Sequence, residues 1–533
     1  MTLSRCRVKH TKRVFPRKAP KQISTTKLSI LDASVARFAP CSAIWLYDKT
    51  GKANAHSPTV FERLEEALRR TLNDYPHFSG QLRWASGEFV ENEANTPYIG
   101  RPVVTYGTSE DPGVELVIAE DTRELIAVVP SQEERLTTKQ IWDATNFPQN
   151  EFQPKTELAF SNLTRFEGLP GVAIQLTAFK CGGYAISIKL THCLSDALCL
   201  IQFAHAWAAQ SRSLFKDAPN IAQIDDEEHV VLLFDPRRLD QYASLTNGPD
   251  PEKIKKARAL PMHRYDWWAK DAPGYPSWAE SSTNGTKPPA GELAHLELSP
   301  STIPPWPTWD MAAPVERVQI RFKAETVAKM KRSAESSLPE SLKGQRISRL
   351  DSALAHLWIL INRARRHENT LEDVYMDISL GVRGRVDPPL PDTFAGSPIL
   401  LGYIAKPGSE ASTTTIGAVA GSIRQMMSRF TPDAVSAYIH DAAYEVSPQR
   451  LWQAFLGSRH TLVTSWVRAR AYEVDFSGTR GLARYVQGVM PRMDGLVQVM
   501  DMADTGDFDI SVCLEKGTMQ RFLQDPMLGV YGI

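Results

Sequence analysis

Residues 191–196 read THCLSD and place an imidazole and a carboxylate four residues apart, between two apolar segments. A strand pattern ends directly before His192 and a helix pattern begins just after it, so the imidazole should project from the edge of a sheet. A neutral imidazole can accept a proton from a hydroxyl or an amine near pH 7. The pattern therefore fits a general base at His192, and it also fits a hydrogen-bonded histidine at a strand end.

Asp196 occupies the start of the predicted helix. A carboxylate at this position can accept hydrogen bonds from free main-chain N–H groups and interacts favourably with the positive end of the helix dipole. We therefore predict that Asp196 caps the helix and structures the loop, whether or not His192 is catalytic.

The elements that must position His192 are strands followed by one helix. Residues 172–176 and 184–190 alternate as strands, and Gly182-Gly183 between them is typical of a hairpin. An apolar helix is predicted over about 195–209. Upstream, the apolar run 43–47 predicts a buried strand.

The second half of the chain shows the same mixture of elements. A strand is predicted over 316–322 and helices over 350–365 and 416–430, whereas about 216–314 is rich in Pro, Gly, Ser and Thr. We predict an α/β (α+β) fold with two similar-sized domains, each a mixed β-sheet with helices. The predicted parts are a flexible basic tail (1–26), an N-terminal domain with the HxxxD segment (27–215), a long crossover or insertion (216–315) and a C-terminal domain (316–533).

Composition excludes several classes of protein. The 533 residues contain 61 basic and 61 acidic side chains, so no net field favours nucleic acid. No apolar run is long enough to span a membrane. Six scattered cysteines without a CxxC pair argue against a disulfide framework and a metal site and favour a cytoplasmic location. His205 and His356 lie on apolar helices and are predicted to pack in the core.

Several segments, in order along the chain, resemble the motif blocks of the BAHD (HxxxD-type) acyl-CoA-dependent acyltransferases. The segments are LSILDASVARFAPCSAIWLYD with FERLEEALRRTLNDYPHFSGQLRW, then ISIKLTHCLSDALCLIQFAHAWA, SRLDSALAHLWILINRAR, LGVRGRVDPPLPDTFAGSP and TSWVRARAYEVDFSG. They cover about 27–82 and 171–515, apart from the crossover, and loosely resemble the fungal trichothecene acetyltransferase branch.

This resemblance implies two chloramphenicol-acetyltransferase-like domains with a tunnel between them. It also implies that His192 is the general base for direct attack of an acceptor on the thioester of acyl-CoA, without a covalent acyl-enzyme. Trp466 matches a tryptophan whose indole N–H approaches the developing oxyanion, and packing of the tunnel wall is the alternative role. Thr464 is a candidate for the same wall.

Further site residues follow from the same resemblance. Asp475 matches the first residue of the DFGWG motif, which implies a structural salt bridge with Arg383, or with Arg385 as the alternate. The resemblance assigns no individual residue to CoA binding. It implies acyl-CoA, with acetyl-CoA as the donor on the fungal likeness, as a co-substrate rather than a bound cofactor. It also implies a small-molecule acceptor and a monomer without metal.

The sequence also departs from the family pattern at three places. Ala197 replaces the glycine of HxxxDG, Gly396-Ser397 replaces Gly-Asn, and residues 475–479 read DFSGT instead of DFGWG. These differences point to a divergent branch. Two alternatives stay open: a relative of peptide-synthetase condensation domains that uses carrier-bound thioesters, although Thr191 stands where those have a second histidine, and a catalytically idle family member that binds a small molecule.

Overall fold

A computed structural model of the chain describes residues 5–49, 57–85, 100–214, 232–245, 248–477 and 481–532. The strands are β1 (Cys6–Val14), β2 (Ser24–Lys27), β3 (Cys41–Tyr47), β4 (Gln81–Trp84), β5 (Pro102–Tyr106), β6 (Val114–Asp121), β7 (Ile141–Asp143), β8 (Val172–Phe179), β9 (Tyr184–Leu190), β10 (Tyr265–Asp266), β11 (Val315–Phe322), β12 (Asp373–Gly381), β13 (Ile399–Pro407), β14 (Leu451–Trp452), β15 (His460–Ser465), β16 (Tyr485–Gly488), β17 (Leu496–Asp501) and β18 (Phe508–Glu515).

The helices alternate with these strands along the chain. They are α1 (Ile30–Ser34), α2 (Ser57–Thr71), α3 (Gln132–Leu136), α4 (Gln149–Phe152), α5 (Ala197–Ser213), α6 (Arg237–Asp240), α7 (Pro251–Arg258), α8 (Glu280–Thr286), α9 (Ala290–Leu293), α10 (Ala324–Ser336), α11 (Arg349–Ala364), α12 (Gly408–Thr413), α13 (Ile416–Ser428), α14 (Pro432–Ala443) and α15 (Lys516–Gln524). None of the helices in the described ranges is long and apolar enough to cross a bilayer.

The N-terminal half is built on a six-stranded sheet with the order β1-β6-β8-β9-β3-β16. Every residue of β3 is buried, because this strand lies inside the sheet with the packed helices α2 and α5 nearby. The predicted hairpin joins β8 to β9, and its turn requires Gly182, whose φ is +86°. In the N-terminal half, the C-terminal end of β9 therefore lies next to the start of α5.

The C-terminal half is built on a seven-stranded sheet with the order β13-β12-β15-β17-β18-β11-β7. Helices α10, α11, α13 and α15 pack together and against this sheet around a large apolar core. The strand predicted at 316–322 and the helices predicted at 350–365 and 416–430 are present as β11, α11 and α13. The predicted α/β class with two sheet-based halves is confirmed.

The two halves exchange edge strands. β16, from late in the chain, pairs antiparallel with β3 of the N-terminal sheet, and β7, from the N-terminal half, pairs antiparallel with β11 of the C-terminal sheet. Each sheet therefore includes one strand from the other predicted domain, 27–215 or 316–533.

The prediction of a flexible tail over 1–26 is wrong for the described part of that segment. β1 pairs antiparallel with β6 at the edge of the N-terminal sheet. The basic residues of β1 face an acidic partner strand: Lys9 Nζ lies 2.7 Å from Glu120, and Arg13 Nε lies 3.2 Å from Glu115. Opposite charges across a strand pair stabilise the pairing, and the sequence of the tail alone did not show its partner.

The described part of the crossover packs on the C-terminal half. Its indole rings join those of the C-terminal domain in one cluster that includes Trp267, Trp306, Trp309, Trp452 and Phe455. The two-residue strands β10 and β14 tie the same segment to the chain beyond α14. The crossover is thus anchored by aromatic packing rather than by long regular elements.

Candidate active site

His192 lies where β9 ends and the N-terminal half meets the C-terminal half. A single 3-10 turn, His192–Leu194, connects the strand to α5 and is held by the Thr191 N–H, which donates to Gly171 O at 2.9 Å. The imidazole is partly exposed, and the ring of Phe38 packs edge-on against it at a centroid distance of 5.4 Å. The side chain is therefore positioned by the fold and still accessible, as a general base requires.

Ser397, from the C-terminal half, orients the His192 ring. Its Oγ donates to the main-chain carbonyl of His192 at 2.5 Å and lies 3.3 Å from Nδ1. Because the hydroxyl hydrogen is used on the carbonyl, we assign Nδ1 as the donor in the second contact. This tautomer leaves the lone pair on Nε2, the nitrogen that can accept a proton from a substrate.

The pKa of His192 favours the neutral ring. Removal of water from the imidazole lowers this pKa below the ordinary value of 6.5, although a hydrogen bond to the residue's own carbonyl and the charge of Asp196 act in the opposite direction. At neutral pH the ring is therefore present mainly in the form that accepts a proton.

Asp196 caps α5, as predicted from its position. Its Oδ1 accepts the Cys199 N–H at 2.9 Å, and its own N–H donates to Gly396 O at 3.0 Å. The carboxylate also receives two hydrogen bonds from Arg383, at 2.6 and 3.1 Å, with both side chains about 5–6% exposed. This bidentate pair fastens the His192 loop to the C-terminal half.

The predicted salt bridge between Asp475 and Arg383 is therefore wrong. Arg383 follows β12 and points at the start of α5, so Asp196 is its partner, and the alternate Arg385 donates instead to the carbonyls of Met427 and Phe430. Asp475 accepts hydrogen bonds from the N–H and O–H of Ser477, at 3.0 and 2.5 Å. Gly478 and Thr479 of the DFSGT segment lie outside the described residues.

Thr464 lies near the end of β15, and Trp466 follows directly after this strand. Trp466 is 5% exposed and belongs to the apolar cluster of the N-terminal half, so it does pack. Its main-chain N–H donates to Val499 O at 2.8 Å. Thr464 is partly exposed. That Trp466 donates to the oxyanion and that Thr464 lines the tunnel wall both stay predictions.

Sequence reasoning missed Asp32, which supports the loop that carries Ser397. Its Oδ1 accepts the Ser397 N–H at 2.5 Å, and its Oδ2 accepts the N–H and O–H of Ser29. Burial raises the pKa of Asp32 to about 6, although these donors oppose the shift. Gly396 has φ +124°, and a Cβ there would lie 2.8 Å from Asp32 Oδ1. The S-x-x-D pattern of a capping box at Ser29 was the available signal.

A second polar group lies within the C-terminal half. Asp377 contacts His263 Nε2 at 3.1 Å and His460 Nδ1 at 2.9 Å, and the possible ligand atoms of the three side chains all lie within 4.8 Å. Burial raises the pKa of Asp377, but the two histidines more than offset this and hold it below its ordinary value. These residue types could hold a divalent cation. They are far apart in sequence, so motif spacing gave no sign of them.

The other two histidines singled out from the sequence are located away from these contacts. His356 is 5% exposed, and burial lowers its pKa to about 4. His205, on α5, is partly exposed and its Nε2 lies 3.2 Å from Arg470 O. His356 is therefore buried as predicted, whereas His205 is not part of the core.

Comparisons with known proteins agree with this geometry. The chain matches the Transferase family over residues 5–91, 147–258 and 269–528. It is 26% identical to Acyltransferase AFT15-1 of Alternaria alternata, covering 96% of this chain and 94% of that protein. Identity to Acyltransferase abl6 of Leptosphaeria maculans is 23%, over 83% of this chain and 80% of that protein.

Solved structures share the fold. TRI101 of F. graminearum, in complex with coenzyme A and deoxynivalenol, superposes with a TM-score of 0.66 at 15% identity over 95% of this chain and 99% of that chain. Vinorine synthase superposes with a TM-score of 0.60 at 16% identity, covering 97% of this chain and 96% of that chain. With a family match over most of its length and the HxxxD histidine at the junction of two such halves, the chain belongs to the Transferase family and is an acyltransferase of the BAHD type.

Proposed function

We propose that the chain transfers an acyl group, acetyl in the first instance, from acyl-CoA to a hydroxyl or amine of a small acceptor, with His192 as the general base. The observation that carries this proposal is the orientation of His192, whose Nδ1 faces Ser397 while Nε2 is left to accept a proton. The fold of TRI101, which was solved with coenzyme A and deoxynivalenol, supports room for a donor and an acceptor.

The reaction follows from this arrangement as a direct displacement. Nε2 of His192 takes the proton of the acceptor while the acceptor oxygen or nitrogen attacks the thioester carbonyl. The tetrahedral intermediate then expels the CoA thiolate, which recovers the proton from the imidazolium. Both substrates must be bound together, so a ternary complex is required.

The intermediate carries a negative oxygen that needs a hydrogen-bond donor. Trp466 is our candidate, because β15 ends directly before it and it matches the tryptophan to which the family resemblance assigns this role. Removing one donor of this kind costs about 10²- to 10³-fold in kcat. Trp466→Phe, which keeps the packing, should show that loss, and a change below threefold would assign Trp466 to packing alone.

Cys193, next to the general base, is a poor nucleophile for a covalent route. It is fully buried, and burial raises its pKa well above 9.0, so the thiol stays protonated. Incubation with labelled acetyl-CoA alone, followed by intact-mass measurement, should therefore show no acylated protein. Accumulation of an acyl-enzyme would exclude the direct mechanism.

The central test compares wild type with His192→Ala. CoA release should be followed by thiol detection over a panel of alcohols and amines, and loss of the base should lower kcat by about 10²- to 10⁴-fold. His10→Ala is the matched control, because His10 is exposed on β1. Equal rates for wild type and a folded His192→Ala protein would refute the assignment.

A second arm of the test separates the donor classes. Acetyl-CoA and an acetylated carrier protein are offered at equal concentration with the same acceptor. Transfer only from the carrier would favour the condensation-domain alternative, and no transfer from either donor would favour an idle binding protein.

We also propose that the protein works as a cytoplasmic monomer. Its six cysteines are scattered along the sequence without a CxxC pair, which suits a reducing compartment. Light scattering should give a mass near 59.5 kDa, and a stable dimer would contradict the monomer.

A further inference from the structure

Arg37 is a largely buried cation without a carboxylate partner. Its guanidinium lies over the ring of Trp267 at 4.6 Å, and Nη2 donates to Thr283 Oγ1 at 3.2 Å and is 3.5 Å from Thr286 Oγ1. Nε is buried and makes no hydrogen bond. Among the residues that the structure describes, no ion pair includes Arg37.

The lack of a carboxylate partner for Arg37 is energetically unfavourable. The indole face and the threonine hydroxyls replace only part of the hydration that this buried charge loses. Burial accordingly lowers the pKa of Arg37 to about 10. By contrast, the buried guanidiniums of Arg135 and Arg383 each receive a carboxylate, from Asp509 and Asp196. A ligand that brings a negative charge to Arg37 would supply the missing interaction.

Arg37 is adjacent in sequence to a residue that contacts the general base. The next residue, Phe38, packs its ring against His192, and consecutive Cα atoms are only about 3.8 Å apart. Arg37 and Phe38 are both partly exposed. Neutral hydroxyls and an indole face surround the guanidinium, so its positive charge is not cancelled by the protein.

We propose that Arg37 binds an anionic group of a substrate beside the general base, and that this group is a carboxylate of the acceptor or a phosphate of CoA. The inference rests on the proposed acyl transfer and specifies its substrate class. The acceptor carboxylate is the better fit, because the phosphates of CoA are separated from the thioester by the whole pantetheine arm. The acceptor would then be a hydroxy acid or an amino acid.

The test uses the full-length enzyme, acetyl-CoA and paired acceptors. Lactate, 4-hydroxybenzoate and 3-hydroxydecanoate are compared with their methyl esters, for wild type, Arg37→Gln and Arg37→Lys. Loss of a charge-assisted hydrogen bond should lower the acid-to-ester ratio of kcat/KM by about 10- to 100-fold in Arg37→Gln. Arg37→Lys should recover part of that ratio, and Arg7→Gln on the exposed face of β1 should leave it unchanged.

A second pair of donors distinguishes the source of the anion. Acetyl-CoA and acetyl-pantetheine, which lacks the nucleotide phosphates, are compared with one neutral acceptor. If the phosphate is bound, Arg37→Gln raises KM for acetyl-CoA only. Equal effects of Arg37→Gln on acids and esters, together with equal effects on both donors, would overturn the inference while leaving acyl transfer intact. If wild type transfers acetyl to neither acids nor esters, both proposals fall.

Discussion

The bond between Asp196 and Arg383 allows the sharpest test of how this site is held. The pair is bidentate, with N–O distances of 2.6 and 3.1 Å, and both side chains are about 5–6% exposed. Removing one partner of such a pair leaves the other charge buried and costs about 3–5 kcal/mol. Arg383→Met and Asp196→Asn should each show a loss of this size.

The double variant should lose less than the sum of the two single variants, because it leaves no isolated charge. We expect a coupling free energy of about 1–3 kcal/mol from the double-mutant cycle. The readout is native-state hydrogen exchange of peptides that cover 192–200 and 394–400, since a large chain need not unfold in one step. The value of kcat/KM should fall in the single variants, because the His192 loop loses its anchor.

An exposed pair of similar geometry provides the control. Arg83 donates two hydrogen bonds to Glu167, at 2.8 and 3.0 Å, and the two side chains are 41% and 61% exposed. Arg83→Met should therefore cost no more than about 1 kcal/mol. If Arg383→Met leaves exchange and activity as unaffected as Arg83→Met does, the reasoning about a buried anchor is refuted.

Three other predictions follow from the site and its surroundings. The plot of kcat/KM against pH should rise through the pKa of His192 and reach its plateau by pH 7, because burial lowers that pKa below 6.5; a midpoint above 7 would contradict this. Gly396→Ala should cost about 1–3 kcal/mol in urea unfolding, given its φ of +124° and the contact with Asp32, while Gly384→Ala, which meets open space, should be neutral. Asp377→Asn should lower stability by about 1–3 kcal/mol, measured as the thermal midpoint, because two buried imidazoles lose a charged hydrogen-bond acceptor; an unchanged midpoint would show that the charge contributes little.

Local sequence patterns predicted the elements that carry the site. The alternating strands before His192, the glycine hairpin and the apolar helix after Asp196 depend on contacts between near neighbours in sequence, and all are present as β8, β9 and α5. The role of Asp196 as a cap is local for the same reason.

Partners distant in sequence could not be predicted in this way. Arg383 and Asp196 are 187 residues apart, and which carboxylate receives the guanidinium depends on how the two halves pack. The basic strand β1 looked like a solvated tail because its acidic partner β6 lies about a hundred residues away. Asp32 and Ser397 meet only across the junction of the halves.

The exchange of β16 and β7 has a consequence for the order of events during synthesis. The edge of β3 stays unpaired until residue 485 has left the ribosome, more than four hundred residues after Tyr47. At about 5–20 residues per second, this exposes the edge for roughly 20 seconds to a minute and a half. A nascent chain with such an open edge is a natural client for chaperones, and the N-terminal half produced by itself should self-associate.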